Sequence, residues 1–263
     1  MRQRAPVPRF RVATYNVHKC KGFDRQTAPE RIISVLRELE ADVMCLQEVV
    51  NAQTHGPVFD QAEEIARAFP NYTACFGANR TLRGGTYGNL TLSRLPVLAW
   101  KNIEITQRRE QRGVLRTDLS LGGERILHAF NVHLGTGFVE RRYQAKRLMS
   151  EDVLLHPDLR GPRLVLGDFN EWTKGLTTRL LRETFKTFPP RHALRFPKTF
   201  PGMLPFITLD HCYYEPPLEL LATQLWRSKT ALVASDHLPL LADFELPNAS
   251  AADCVHDCDD GVQ

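Results

Sequence analysis

The chain has 263 residues, 43% of them hydrophobic and 24% charged, with a formal net charge of +4. These proportions are those of a globular protein and exclude a disordered or fibrous chain. No apolar run approaches the roughly 20 residues that span a bilayer, and so mild a charge permits a polyanionic partner without arguing for one.

Residues 1–9 carry charge but no apolar core, so they read as an extension without a signal peptide. Residues 9–17 alternate around Phe10, Val12 and Tyr15 and predict a first strand. Thr27-Ala28-Pro29-Glu30 resembles a capping box with proline in the first turn, and Ile32, Ile33, Leu36 and Leu39 follow at helical spacing. A helix is therefore predicted over 29–40. A short strand over 43–46 precedes a second helix, 61–69, stopped by Pro70. Strands are predicted over 72–76, 88–93 and 97–105, with a glycine loop at Gly84-Gly85. A hairpin turns at Gly122-Gly123 between 114–121 and 125–132, and a long helix is predicted over 140–155. Residues 164–166, 207–213, 218–225 and 238–244 complete the strands. This mix predicts an α/β fold of two sheets packed face to face with helices outside, a single domain over 10–246.

The tail, 247–263, is acidic and carries Cys254, His256 and Cys258. That spacing is a poor match to a structural zinc site, and a solvated, disordered tail is expected. The six cysteines (Cys20, Cys45, Cys75, Cys212, Cys254 and Cys258) are mostly far apart, several inside apolar stretches. Buried free thiols in a reducing cytoplasm are expected.

The predicted strands share a feature. Asn16, Gln47-Glu48, His133, Asp168-Phe169-Asn170 and Asp210-His211 each follow an apolar run, and Ser235-Asp236-His237 opens the last one. A single polar strand end is ordinary. So many in one chain predict that the ends converge. Around Glu48 the donors are carboxylate, amide and carbonyl oxygens without thiolate, which suits Mg2+, with Mn2+ as the alternative. His133 and His237 can move protons near neutral pH, and Asp210 can orient one imidazole. Together these residues describe a metal-assisted phosphate-ester hydrolase. Arg112 can grip a phosphate bidentately or form a surface ion pair. Arg141, Arg142, Lys146 and Arg147 read as the solvated face of the long helix. His18 and Lys19 read either as surface loop or as substrate contacts.

The segments Thr14-Tyr15-Asn16-Val17, Leu46-Gln47-Glu48-Val49, Gly88-Asn89, Asn131-Val132-His133-Leu134, Gly167-Asp168-Phe169-Asn170 and Ser235-Asp236-His237 resemble the endonuclease/exonuclease/phosphatase superfamily, in that family's order. That group includes DNase I-like nucleases, exonuclease III-like repair enzymes, neutral sphingomyelinases and inositol-phosphate 5-phosphatases. Asn16-Val17-His18-Lys19, Arg112-Gly113-Val114-Leu115 and His133-Leu134-Gly135 resemble a bacterial branch of it. The resemblance implies a four-layer α/β/β/α sandwich of mostly antiparallel sheets, with the site at one mouth. It implies Glu48 as the main metal ligand, supported by Asn16 and Asp236. Asp168 and Asn170 would position the attacking water and the phosphate, and Asn89 and Arg112 would bind substrate. His237, oriented by Asp210, would be base or phosphate-polarising group, and His133 the acid or phosphate contact opposite. His211 would be an incidental neighbour. A monomeric phosphodiesterase acting on nucleic acid is expected, with a phospholipid or inositol-phosphate esterase as the alternative and a non-catalytic binding module as the third. The proline-rich loop 188–206, with Phe200, Met203, Leu204 and Phe206, is expected either to wall the site or to cover the core.

Overall fold

The computed structural model describes residues 8–52, 60–82, 84–108, 110–172, 175–187 and 197–247. Residues 1–7 of the extension, 248–263 of the tail and 188–196 of the proline-rich loop named above lie outside the described residues. In chain order the strands are β1 (Arg9–Asn16), β2 (Val43–Ala52), β3 (Thr73–Leu82), β4 (Gly85–Ser93), β5 (Val97–Glu104) and β6 (Gly113–Ser120). They continue with β7 (Ile126–His133), β8 (Arg163–Asp168), β9 (Lys186–Thr187), β10 (Asp210–Tyr214), β11 (Glu219–Leu225) and β12 (Leu240–Glu245). The helices are α1 (Pro29–Leu39), α2 (Gln61–Ala68), α3 (Phe138–Leu148), α4 (Leu176–Thr184) and α5 (Ala231–Ala234).

The strands form two six-stranded sheets, ordered β11-β12-β1-β2-β4-β3 and β5-β6-β7-β8-β10-β9. β1 with β2 and β7 with β8 pair in parallel, and the other pairs are antiparallel. Side-chain alternation explains the layering. Phe10 and Val12 of β1 and Val43 and Cys45 of β2 meet Leu127, Leu164 and Leu166 of the other sheet. Ala13, Tyr15, Met44 and Leu46, one residue out of phase, face Ile32, Leu36 and Ile65 of α1 and α2. On the far side Phe130, Val132 and Val165 pack against Leu148 and Leu181 of α3 and α4. Three apolar seams thus separate four layers. A strand such as Leu164-Val165-Leu166 is apolar on both faces because both are covered.

Several elements differ from expectation, among them β9 and α5, which were not expected, and β3, which runs on to Leu82. Thr27 does not cap α1: Ala28 is the N-cap, without a side-chain bond. The long helix ends at Leu148, because Ser150 Oγ donates to the Arg147 carbonyl at 2.8 Å and then accepts from the Asp152 N–H. Such local side-chain bonds compete with the helical ladder. Val153 and Leu154 remain buried in the turns that follow. Helix α4 was not expected. Strand β2 runs on to Ala52 through a bulge at Gln47-Glu48.

Buried amides join the two sheets. Asn131 of β7 donates to the Leu46 and Leu90 carbonyls, both at 3.1 Å, and its Oδ1 accepts from Gln47 Nε2 at 2.8 Å. Asn89 of β4 donates back to the Asn131 and Gly113 carbonyls at 3.1 and 3.2 Å. β7 and β8 approach closely at Gly167, whose φ is +148° and where an added Cβ would lie 1.8 Å from the Val132 carbonyl oxygen. Gly167→Ala should therefore destabilise the fold by about 3 kcal/mol or more, from backbone strain plus overlap. Urea denaturation checks this. A wild-type midpoint would mean that the strands can part here.

Candidate active site

Strand direction gathers the polar ends. β1, β7 and β8 finish, and β2 bulges, at the mouth where the antiparallel β10 and β12 begin. Register then sets a row across the second sheet, His133 opposite Asp168 and Asp168 opposite Asp210. Asn16 lies opposite Gln47 in the first sheet. The bulge turns Glu48, at φ 61°, out toward this mouth.

Asp168 is the hub. Its Oδ1 accepts the Asn170 N–H at 2.8 Å and its Oδ2 accepts Asn16 Nδ2 at 2.9 Å. The same Oδ2 lies 3.7 Å from His133 Nε2 and 3.8 Å from His237 Nε2. Burial drives the Asp168 carboxyl up to about 7, assisted by Asp210 and opposed by His237 and the two hydrogen bonds. His237 Nδ1 is 2.8 Å from Asp210 Oδ2. Burial disfavours the imidazolium, but Asp210 and Asp168 outweigh it and raise the His237 pKa to about 10. The pair is held from the loop before β10: Thr199 Oγ1 accepts the Leu209 and Asp210 N–H groups.

The other histidine is set differently. A guanidinium N–H of Arg112 points at His133 Nδ1 at 3.1 Å. Arginine only donates, so His133 Nδ1 must accept and the ring proton resides on Nε2, facing Asp168. Burial and the Arg112 charge both lower the His133 pKa. The remaining fork of Arg112 holds Glu110 Oε2 at 2.8 Å, and the residue is 4% exposed. Arg112 thus faces inward as the orienting partner of His133, instead of offering a free fork to solvent. Asn89 likewise sits fully buried, its N–H groups joining the sheets. Asn170 donates to the Leu134 carbonyl at 2.9 Å.

Glu48, Asn16 and Asp236 line the opposite side. Asn16 Nδ2 is 3.3 Å from Glu48 Oε1, its Oδ1 accepts the His18 N–H at 3.0 Å, and Asp236 Oδ1 is 3.3 Å from His18 Nδ1. Burial pushes the Glu48 carboxyl up, but His133, Lys19 and His18 overcome it and hold it at about 2. Lys19 Nζ already lies 2.8 Å from Glu48 Oε2, so the place receives a cation. Among the described residues no cluster of three His, Cys, Asp or Glu side chains is close enough to encage a metal. The ionised Glu48 carboxylate is a hard oxygen donor that fits a divalent cation, whereas Asn16 turns its amide nitrogen toward Glu48 and keeps its Oδ1 on the His18 N–H.

Residues 13–237 match the model of the Endonuclease/Exonuclease/phosphatase family. The chain belongs to that family. It is 32% identical over 257 residues to the "Uncharacterized protein YbhP" of Escherichia coli K12, covering 90% of this chain and 96% of that one. A family structure from Beutenbergia cavernae superposes with a TM-score of 0.75 at 22% identity, covering 92% of this chain and 72% of that one. The mannosyl-6-phosphatase of Bacteroides thetaiotaomicron gives a TM-score of 0.68 at 15% identity, covering 89% and 99%. Members of the family are phosphoesterases.

Within this family fold Trp172 escaped the sequence reading, whereas the loop 188–206 was expected either to wall the site or to cover the core. Phe200 packs on His237 with centroids 5.0 Å apart, and Trp172 meets Phe200 at 6.0 Å. Trp172, Met203, Leu204 and Phe206 are exposed along this side. The proline-rich loop therefore walls the site where it is described, tied down by Gly202 N–H on the Asp236 carbonyl and Leu238 N–H on the Thr199 carbonyl. Arg141 is half-buried and donates to the Gly135 and Thr136 carbonyls, while Arg142 and Lys146 of the same helix are exposed. His211 packs against Phe169 and Tyr213. Among the described residues Cys20, Cys45, Cys75 and Cys212 are free and buried, and no helix is long and apolar enough to cross a membrane.

Proposed function

We propose that the protein is a divalent-cation-dependent phosphoesterase that cleaves a P–O bond by attack of water, with a phosphodiester, first of all nucleic acid, as substrate. One observation carries the reading: Asp168 Oδ2 stands between the Nε2 atoms of His133 and His237, at 3.7 and 3.8 Å, beside the Glu48 carboxylate.

Each residue has a task that its surroundings support. Asp168, raised to about 7, accepts the proton of the attacking water near neutral pH. His237 holds its proton and donates it from Nε2 to the leaving oxygen, with Asp210 fixing the ring at Nδ1. His133, which carries its proton on Nε2, donates a hydrogen bond to a phosphate oxygen. Asn170 helps to seat the phosphate, and Arg112 positions His133. Bound through Glu48, Asn16 and Asp236, the cation would neutralise phosphoryl charge.

Activity should require Mg2+ or Mn2+ and disappear with a chelator. Glu48→Gln should weaken Mg2+ binding about 100-fold while preserving the melting temperature, because the side chain sits at the rim of the fold. Unchanged turnover of that variant at limiting Mg2+ would refute the assignment. A second reading, a phospholipid substrate, is favoured by the exposed Trp172, Met203, Leu204 and Phe206 beside His237. Turnover of DNA, RNA, phospholipid vesicles, inositol phosphates and sugar phosphates under the same metal conditions separates the two. Steep salt dependence on DNA supports the first.

A further inference from the structure

His18, Lys19 and Cys20 form one left-handed turn, with φ values of 48°, 57° and 55°. None is glycine, and left-handed backbone costs such residues about 1–3 kcal/mol each unless the surroundings impose it. Here they do. Cys20 is fully buried among the residues under α1, Gln61 Nε2 donates to the Lys19 carbonyl at 2.6 Å, and the Ala28 N–H donates to the Cys20 carbonyl at 2.8 Å. The product of this imposed turn is the placement of two side chains. His18 Nδ1 comes to 3.3 Å from Asp236 Oδ1, and Lys19 Nζ to 2.8 Å from Glu48 Oε2. Both carboxylates are proposed metal ligands.

Lys19 is the ammonium in direct contact with Glu48. Its ammonium also lies 5.5 Å from the centre of the Tyr87 ring, and that ring lies 6.5 Å from the ring of His133. The stem is half exposed, and Tyr87 lies between it and His133, where the phosphate is placed above. An ammonium and a divalent cation cannot both contact Glu48 Oε2 without strong repulsion.

We propose that Lys19 is a tethered cation that neutralises Glu48 until a divalent cation binds, and is then released to contact the substrate phosphate. Lys19 is a substrate-binding residue in this account, and its rest position is on the metal ligand. Metal and phosphate binding are then coupled: the metal frees the ammonium, and the phosphate keeps it off Glu48. The inference rests on the metal-dependent reading of the site.

Lys19→Met keeps the stem and removes the charge, and Lys19→Arg restores a charge. Calorimetric titration of each full-length protein with MgCl2, and then with inorganic phosphate at saturating Mg2+, tests the idea. Lys19→Met should bind Mg2+ about fivefold more tightly and inorganic phosphate about fivefold more weakly, as expected for loss of a partly exposed charge pair. Lys19→Arg should lie near wild type in both titrations. Equal or weaker Mg2+ binding by Lys19→Met, or unchanged phosphate binding, overturns this inference and leaves the phosphoesterase reading standing. Absence of Mg2+ binding in wild type and variant alike overturns both.

Discussion

Replacing His237 with alanine should slow hydrolysis of an alkyl phosphodiester about 1,000-fold, within the range for loss of a general acid. A nitrophenyl ester should lose much less, because nitrophenolate leaves with little protonation. The reason is the charge state of the row. His237 is enclosed by Asp210 at 2.8 Å and Asp168 at 3.8 Å, which hold its proton up to about 10 against burial. At neutral pH it is the protonated acid beside Asp168. His133 cannot share that task, since a second ring proton would point from Nδ1 into the Arg112 guanidinium. The sequence reading makes His133 the acid or phosphate contact and His237 the base or phosphate-polarising group; the arrangement proposed here exchanges those tasks. The hydrogen bond to Arg112 leaves His133 as the phosphate contact, so His133→Ala should slow both esters alike. Equal losses for both esters in His237→Ala would remove His237 as the acid.

Asp168→Asn should lower kcat/KM by about 100- to 10,000-fold for both esters, because the base is lost regardless of the leaving group. The pH profile supplies the second readout. Burial raises the Asp168 carboxyl to about 7, so below that value it is protonated and cannot accept the water's proton. The wild-type rate should rise with pH through about 7 and fall as His237 gives up its proton toward about 10. Asp168→Asn should lack the rising limb. A rising limb that persists near 7 in this variant would assign it to another group.

The layered fold was legible because strands buried on both faces write themselves as unbroken apolar runs, as in Leu164-Val165-Leu166. The site was legible because strand ends that meet must be polar where the run stops, as at Asn16, Glu48 and Asp168. What escaped depends on partners distant in sequence. α4 has Gly175 at its N-cap, and its start is held by Glu171, which accepts the Thr177 and Thr178 N–H groups at 3.1 and 3.0 Å. A pattern that looks for a cap at the adjoining residue misses a carboxylate reaching across a loop. Arg112 looked like a phosphate grip because its partner, His133, lies 21 residues away. Asn89 belongs to a recognisable motif, yet its amide faces the other sheet. The left-handed turn at His18–Cys20 has no glycine to announce it.

The amide bonds from Asn131 to Leu46, Leu90 and Gln47 have a consequence for adaptability. Asn16, Glu48 and Asp236 come from one sheet or its border, and His133, Asp168 and Asp210 from the other. The gap between the proposed catalytic groups is therefore an inter-sheet spacing, and a slip of one sheet along the other would break several buried hydrogen bonds at once, each costly to leave unmade. Jaw width is invariant under such a constraint. Adaptation to a bulkier or slimmer substrate falls instead to the border segments after β7, after β8 and before β10, which can be exchanged without disturbing the bolt between the sheets. Directed evolution confined to residues 136–139, 172 and 200–206 should accordingly redistribute substrate preference while leaving the cleavage chemistry intact.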